Sequence, residues 1–284
     1  MDDSLSTREV APLERLSPNG VAAIHEASLD ILADVGIKVD HEEGLDLLAG
    51  AGCSVDRETH MVTFPRALVE ESVQQAPETI TLHARNPEHT VTIGEGAPVM
   101  SPCGNAPNVL TYDEGRRPSK LADYETFLKL TQQADRMTCS GYNHCEPNDV
   151  QQEVKHLELM KRAILLTDKP LKGDSWGADR AGAVIEMAGI ANDYRDLSKP
   201  YVIATINTVS PRTIDAKMAG GLLTYAEHGQ PVMVSPAVMA AASGPATLAG
   251  TIAQGNAEVL AGVTLAQLAN PGTPVLYGFP TSNV

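Results

Sequence analysis

Residues 231–284 carry a single charged side chain, Glu258, and this limits what the chain can fold into. Pro231-Val-Met-Val-Ser-Pro236 and Pro274-Val-Leu-Tyr-Gly-Phe279 are short and β-prone, and the apolar run Ala246–Ala269 between them is helix-length. That pattern predicts a βαβ unit. Parallel strands joined by a helix need both sheet faces covered, so the segment belongs inside a large α/β domain. The apolar run is also long enough to raise the question of a membrane span. Gln254, Asn256 and Glu258 interrupt its middle, where lipid would penalise each of them. It therefore reads as a buried helix, apolar around most of its circumference. The sheet is expected on one side and another layer or a subunit on the other, which makes a homo-oligomer one expectation.

The formal net charge of −15 disfavours a nucleic acid partner. An acidic surface suits cationic ligands, but the favoured reading is an ordinary solvated surface. Met1-Asp-Asp-Ser is not the start of a signal peptide. The four cysteines, Cys53, Cys103, Cys139 and Cys145, form no Cys-x-x-Cys pair and read as free thiols of a cytoplasmic protein.

Residues 1–117 read as an α+β region. Ser17-Pro18 starts a helix that Gly36 ends, and Asp40 with Glu43 has the capping-box spacing for a second. A hairpin is expected over Cys53–Phe64, a helix over Pro65–Gln75, strands over Thr79–Ala84 and Thr90–Ile93, and a hairpin ending near Gly115. From Pro118 the pattern changes. Ser119 is a candidate cap for a helix from Leu121 to Ala134. Strands over Met137–Tyr142, Pro170–Ser175, Pro200–Asn207, Pro231–Ser235 and Pro274–Gly278 then alternate with helices, those before the long one spanning Asp149–Thr167, Ala178–Tyr194 and Thr213–His228.

Two architectures fit this alternation. A doubly wound dinucleotide fold expects Gly-x-Gly-x-x-Gly after its first strand, and Gly141-Tyr-Asn-His-Cys does not supply it. The other is a (β/α)₈ barrel, here with about five of its eight strands in residues 118–284, preceded by the α+β extension of residues 1–117. The last strand has no helix to cover it, so the expectation is a sequence cut short or completed by a partner.

In a barrel the chemistry sits on the loops after the strands. Cys139, His144, Cys145 and Glu146 are zinc-ligand types, but their spacing is poor, and the favoured reading is a satisfied loop histidine and free thiols. Trp176, with Tyr142 and Tyr277, can form an aromatic cage for a quaternary ammonium, or Trp176 can simply pack at the rim. Glu258, with Gln254 four residues earlier, must be paired if buried, with Arg212 or Arg180 as candidate partners. No Gly-x-Ser-x-Gly elbow and no P-loop appears. The small-residue loop Ala240–Pro245 lacks the Lys or Arg of a phosphate site.

Together, Ala246-Thr-Leu-Ala-Gly250, Asn256-Ala-Glu-Val-Leu-Ala-Gly262, Leu265-Ala-Gln-Leu268 and Pro271-Gly-Thr-Pro-Val-Leu-Tyr-Gly278 resemble the trimethylamine methyltransferase (MttB-like) family. Ile203–Pro211, Gly229–Val234, Ile31–Val39 and Pro65–Val69 agree in order and spacing. The resemblance implies a (β/α)₈ barrel that moves a methyl group from a methylated amine to the Co(I) of a corrinoid carried by a partner protein, with no cofactor bound directly. Some members carry pyrrolysine and use trimethylamine. Others lack it and resemble enzymes for glycine betaine or related quaternary amines. The pyrrolysine position falls after residue 284. Losing methyl from a quaternary ammonium releases a neutral amine and asks for little acid–base work. Uncharged rim groups suit that task, so Asn207, Ser210, Ser235 and Thr281 join Tyr142, Trp176 and Tyr277 as candidate substrate contacts. Gln254, Asn256 and Glu258 are expected to be structural, no metal ligand is assigned, and no catalytic residue is. The alternatives are a non-catalytic quaternary-ammonium-binding barrel and a zinc-dependent methyltransferase or hydrolase using Cys145 and His144.

Overall fold

The computed structural model describes residues 14–94, 98–102, 104–140, 144–193 and 199–283, with strand residues 281–283 described by backbone alone. Helix α1 (Pro18–Asp30) is capped by the Ser17 hydroxyl, which accepts from the Gly20 amide at 3.2 Å. It continues through a π-helical turn, Ile31–Val35, to Gly36. Then come β1 (Ile37–Val39), α2 (Glu42–Gly50), the hairpin β2 (Ser54–Asp56) and β3 (Met61–Thr63), and α3 (Arg66–Gln75). Two further antiparallel pairs follow, β4 (Ile80–Leu82) with β5 (Val91–Ile93), and β6 (Asn108–Thr111) with β7 (Gly115–Pro118). The second part comprises α4 (Leu121–Gln133), α5 (Lys155–Leu166), β8 (Leu171–Gly173), α6 (Ala178–Ala191), β9 (Val202–Ile206), β10 (Thr213–Ile214) and α7 (Ala216–Glu227). It ends with β11 (Val232–Val234), β12 (Val238–Ala240), α8 (Leu248–Ala269), β13 (Val275–Tyr277) and β14 (Thr281–Asn283).

Strands β8, β9, β11 and β13 form one parallel sheet in chain order, with Leu171 opposite Val202, and Val232 opposite both Ala204 and Val275. Helices α6, α7 and α8 make the crossovers, so the βαβ reading of residues 231–279 holds, and the class is α/β. Val202, Ala204, Ile206, Val232 and Val234 are almost wholly buried, which contributes about 2 kcal/mol for each branched side chain.

Helix α8 packs against α7, β11 and β12 on the sheet side and against α1, α2 and α3 on the other. The second layer expected from its apolar circumference is thus supplied by the chain's own N-terminal helices. No helix among the described residues is long and apolar enough to cross a membrane. The N-terminal strands also join the second part directly: β1 pairs in parallel with β10 in a sheet ordered β10-β1-β3-β2.

Several local expectations fail for physical reasons. No strand forms over residues 137–140. The Thr138 and Cys139 amides both donate to the Met100 carbonyl and the Ser140 amide to Pro170, so no ladder develops. Asp40 does not cap α2. Its carboxylate is held by Lys38 at 2.9 Å and His60 at 3.0 Å, and His41 Nδ1 accepts from the Gly44 amide instead. Ser119 does not cap α4. Its hydroxyl donates to the Glu146 carbonyl at 2.6 Å, and Asp123 accepts from the Lys120 amide. The helix expected from Thr213 starts at Ala216, because Thr213-Ile214 is spent on β10 and Asp215 is the cap.

The carboxyl end of α4 is closed by a buried lysine. Lys169 is 5% exposed and donates to the carbonyls of Thr131 (2.8 Å), Ala134 (2.9 Å) and Met137 (2.7 Å). Lys169→Met would leave three carbonyls without their donor. The expected cost is about 2–4 kcal/mol, seen as a melting temperature lower by roughly 5–10 °C in calorimetry. An unchanged melting temperature would refute this role.

Candidate functional site

The carboxyl ends of β8 and β9 open onto a cavity of about 380 Å³. Two glycines let its walls close. A Cβ on Gly173 would lie 2.3 Å from the Tyr225 hydroxyl, and one on Gly221 would lie 1.9 Å from the Ser175 carbonyl oxygen. So α7 presses directly on the loop after β8, and Tyr225 donates to the Asp174 carbonyl at 3.1 Å.

On that loop the Asp174 carboxylate accepts from the Trp176 amide at 2.8 Å and stands 3.6 Å from the Arg180 guanidinium. Trp176 is 53% exposed and lines the cavity, as does Asn207 from the end of β9. Lys155 reaches in from α5 and donates to Glu146 at 2.6 Å. Lys172, from the middle of β8, also faces the space. Three cations therefore face two carboxylates around one indole. Thr205 borders the cavity too, and its hydroxyl oxygen is buried with no partner among the described residues. An arrangement of both signs beside an aromatic face can hold a cation at one end and an anion at the other.

The remaining expected contacts lie elsewhere. The Tyr277 hydroxyl donates to Asn256 Oδ1 at 2.9 Å and its ring meets Phe279 edge-on, so it does not share the Trp176 cavity. Ser235 is buried, its amide donating to the Ile206 carbonyl, and it does not line the cavity. Thr281 pairs with Val238 between β14 and β12. Tyr142 lies outside the described residues.

Ser210 belongs to the buried network on α8. Glu258 is fully buried and accepts four hydrogen bonds: from Thr208 and Ser210 hydroxyls on Oε2, and from the Arg212 amide (2.9 Å) and Gln254 Nε2 (3.0 Å) on Oε1. Its partners include the Arg212 backbone but neither candidate guanidinium. That of Arg212 donates to the Gly36 carbonyl, and that of Arg180 is at Asp174. Gln254 also donates to the Ser243 carbonyl, and Asn256 Nδ2 to the Ser28 hydroxyl. Glu258 thus ties the loop that follows Asn207 to α8.

His144 packs against Tyr124, with ring centroids 5.6 Å apart. Burial, and then the nearby Lys172 charge, push its pKa down to about 4. Burial raises the Cys145 and Cys139 thiols to about 11. Among the described residues no group of three or more His, Cys, Asp or Glu side chains is arranged to hold a metal.

Of the cavity's charged groups, Lys155 and Lys172 escaped the sequence reading, while Glu146 and Arg180 were singled out there for other roles. Lys172 had a usable signal, since a lysine amid a buried parallel strand is costly unless it faces a polar space.

Comparison with known proteins places the chain. The family model for trimethylamine methyltransferase (MTTB) matches residues 3–284. Glycine betaine methyltransferase of Desulfitobacterium hafniense (strain Y51) is 43% identical over 223 residues, which cover 78% of this chain and 47% of that protein. Proline betaine:corrinoid methyltransferase of Eubacterium limosum is 29% identical over 231 residues, 78% of this chain and 47% of the relative. Trimethylamine methyltransferase MttB of Desulfitobacterium hafniense (strain DSM 10664 / DCB-2) is 28% identical over 282 residues, 95% of this chain and 55% of the relative. The chain spans about half the length of these curated relatives. With a model match from residue 3 to residue 284, the chain belongs to the trimethylamine methyltransferase (MTTB) family.

Proposed function

We propose that this chain carries the methyl-donor site of a corrinoid-dependent methyltransferase, and that its donor is a quaternary amine bearing a carboxylate, of the glycine betaine kind. The carrying observation is the mixed-charge cavity beside Trp176. A simple methylammonium ion needs only an aromatic face and negative charge, whereas this cavity presents Lys155, Lys172 and Arg180 as well as Glu146 and Asp174. The name of the 43%-identical relative, glycine betaine methyltransferase, supports the same donor.

In this reading Trp176 offers its face to the ammonium, and the cavity's cations orient the carboxylate. The leaving amine is neutral, so no side chain has to deliver a proton. Asn207 and the half-enclosed walls limit water around the reacting methyl group. Sequential parallel order with no reversal supports reading β8, β9, β11 and β13 as one arc of a (β/α)₈ barrel, with residues 1–117 packed beside it. The barrel rim would be the docking face for the corrinoid protein. Its exposed large apolar side chains, Trp176, Val209, Met239, Leu248 and Tyr277, suit the flat face of a macrocycle. When bound there, the corrinoid supplies the Co(I) nucleophile.

The test adds purified chain to a Co(I) corrinoid protein and follows the cobalt absorbance with glycine betaine, tetramethylammonium and trimethylamine. Glycine betaine is expected to react fastest. Trp176→Ala should weaken donor binding by about tenfold, the loss of one desolvated cation–π contact. No cobalt methylation with any of the three would sink the methyl-transfer reading. Binding without turnover would favour the non-catalytic one.

A further inference from the structure

The amino end of α6 borders a second hollow, of about 320 Å³, which shares Trp176 and Arg180 with the first cavity. α6 has 14 residues, and its N-cap, Gly177, has no side chain to cap the first-turn amides. Such an end carries about half a positive charge. Lys217 lies over it: a Cβ on Gly177 would meet Lys217 Cδ at 3.3 Å and Nζ at 3.8 Å. The Lys217 ammonium has no hydrogen-bond or ion-pair partner among the described residues.

A separate observation points to a ligand. His156 lines the same hollow, is only 8% exposed, and its Nδ1 is buried without a partner among the described residues. Buried ring nitrogens are ordinarily satisfied, and an oxyanion would provide the missing acceptor. Asp179 and Glu153 also border the hollow, but both are exposed and screened by solvent. Asp174 is already engaged by Arg180 and the Trp176 amide.

We propose that this hollow binds a small oxyanion, a carboxylate or a phosphate, held by the first-turn amides of α6, the Lys217 ammonium and His156. Helix amino ends and lysine ammonium groups are the donors such anions take. The inference goes beyond methyl transfer and does not depend on it. The anion is either free in solution or the carboxylate of a zwitterion lying across Trp176, which would then sit here rather than on the cations of the first cavity, since the indole borders both hollows.

The experiment titrates the full chain, amide-labelled for NMR, with sodium acetate and inorganic phosphate against sodium chloride at equal ionic strength. Saturable shifts at the amides of residues 178–180 are expected with the first two and not with chloride. Lys217→Gln should weaken both affinities by roughly tenfold, while the remote Lys129→Gln leaves them unchanged. An otherwise unaltered spectrum of Lys217→Gln checks its fold. Displacement of acetate by glycine betaine assigns the site to the zwitterion's carboxylate, and failure to displace assigns it to a free anion. Amides 178–180 that ignore both oxyanions, or Lys217→Gln binding them as tightly as the parent chain, would overturn the proposal.

Discussion

Glu258→Ala is expected to lower the melting temperature by about 10 °C and to loosen the loop from Thr208 to Arg212. The carboxyl group has no exposure and takes four donors, from Thr208, Ser210, Arg212 and Gln254. Alanine removes every acceptor at once and leaves buried donors unpaired, at a cost of about 3–5 kcal/mol. Glu258→Gln should be milder, and the reason is chemical. The two hydroxyls can turn to accept from the new amide group, while the retained amide oxygen still serves the Arg212 backbone, which can only donate. The ordering parent, then Gln, then Ala is the diagnostic. Because Asn207 immediately precedes the tethered loop, the alanine variant should also bind donor more weakly in calorimetry. A loss below about 1 kcal/mol in Glu258→Ala would mean that water replaces those acceptors, and the tether would be rejected.

What could be read from residues alone divides along a physical line. Short-range signals were legible. Ser17 before Pro18 does cap α1, Gly36 does end its π-helical turn, and the Pro-bounded apolar segments do become β9, β11 and β13. Caps failed where a distant group claimed the side chain, as His60 claims Asp40 and the Glu146 carbonyl claims Ser119. The same line runs through the site. Trp176 and Asn207 sit where strands β8 and β9 end, so topology alone points to them. Which way a side chain turns depends on its neighbours. Tyr277 ends β13 at an equivalent place yet is turned toward Asn256 of α8, a contact across 21 residues that no local pattern encodes. Lys172 illustrates the converse. A lysine inside a buried parallel strand signals a polar space beside it, but only pairing with Ile203 fixes on which face of the sheet that space lies.

Acid should destabilise this fold well above the pH at which its salt-bridged carboxylates titrate, and His144 is the reason. Its ring is buried against Tyr124 and Phe127, and Nε2 has no partner among the described residues. Burial, then the charge of Lys172, holds its folded pKa at about 4, against 6.5 for the free side chain. The neutral form is therefore the folded form, and the unfolded chain takes up the proton first as pH falls. This contribution is fully present above pH 6.5, declines by about 1.4 kcal/mol per unit below it, and is gone near pH 4, about 3 kcal/mol in all. Asp123, paired with Arg117, is held below its usual 3.8 and adds its own loss only at lower pH. Denaturant melts at pH 7 and pH 4.5 should thus separate strongly in the parent chain and much less in His144→Leu, which keeps apolar packing and removes the titration. The ring itself supplies the deciding measurement. An imidazole proton resonance that stays flat through pH 6 and moves only near pH 4 fits this account, and one that titrates near 6.5 places His144 in water and removes the acid sensitivity from its charge.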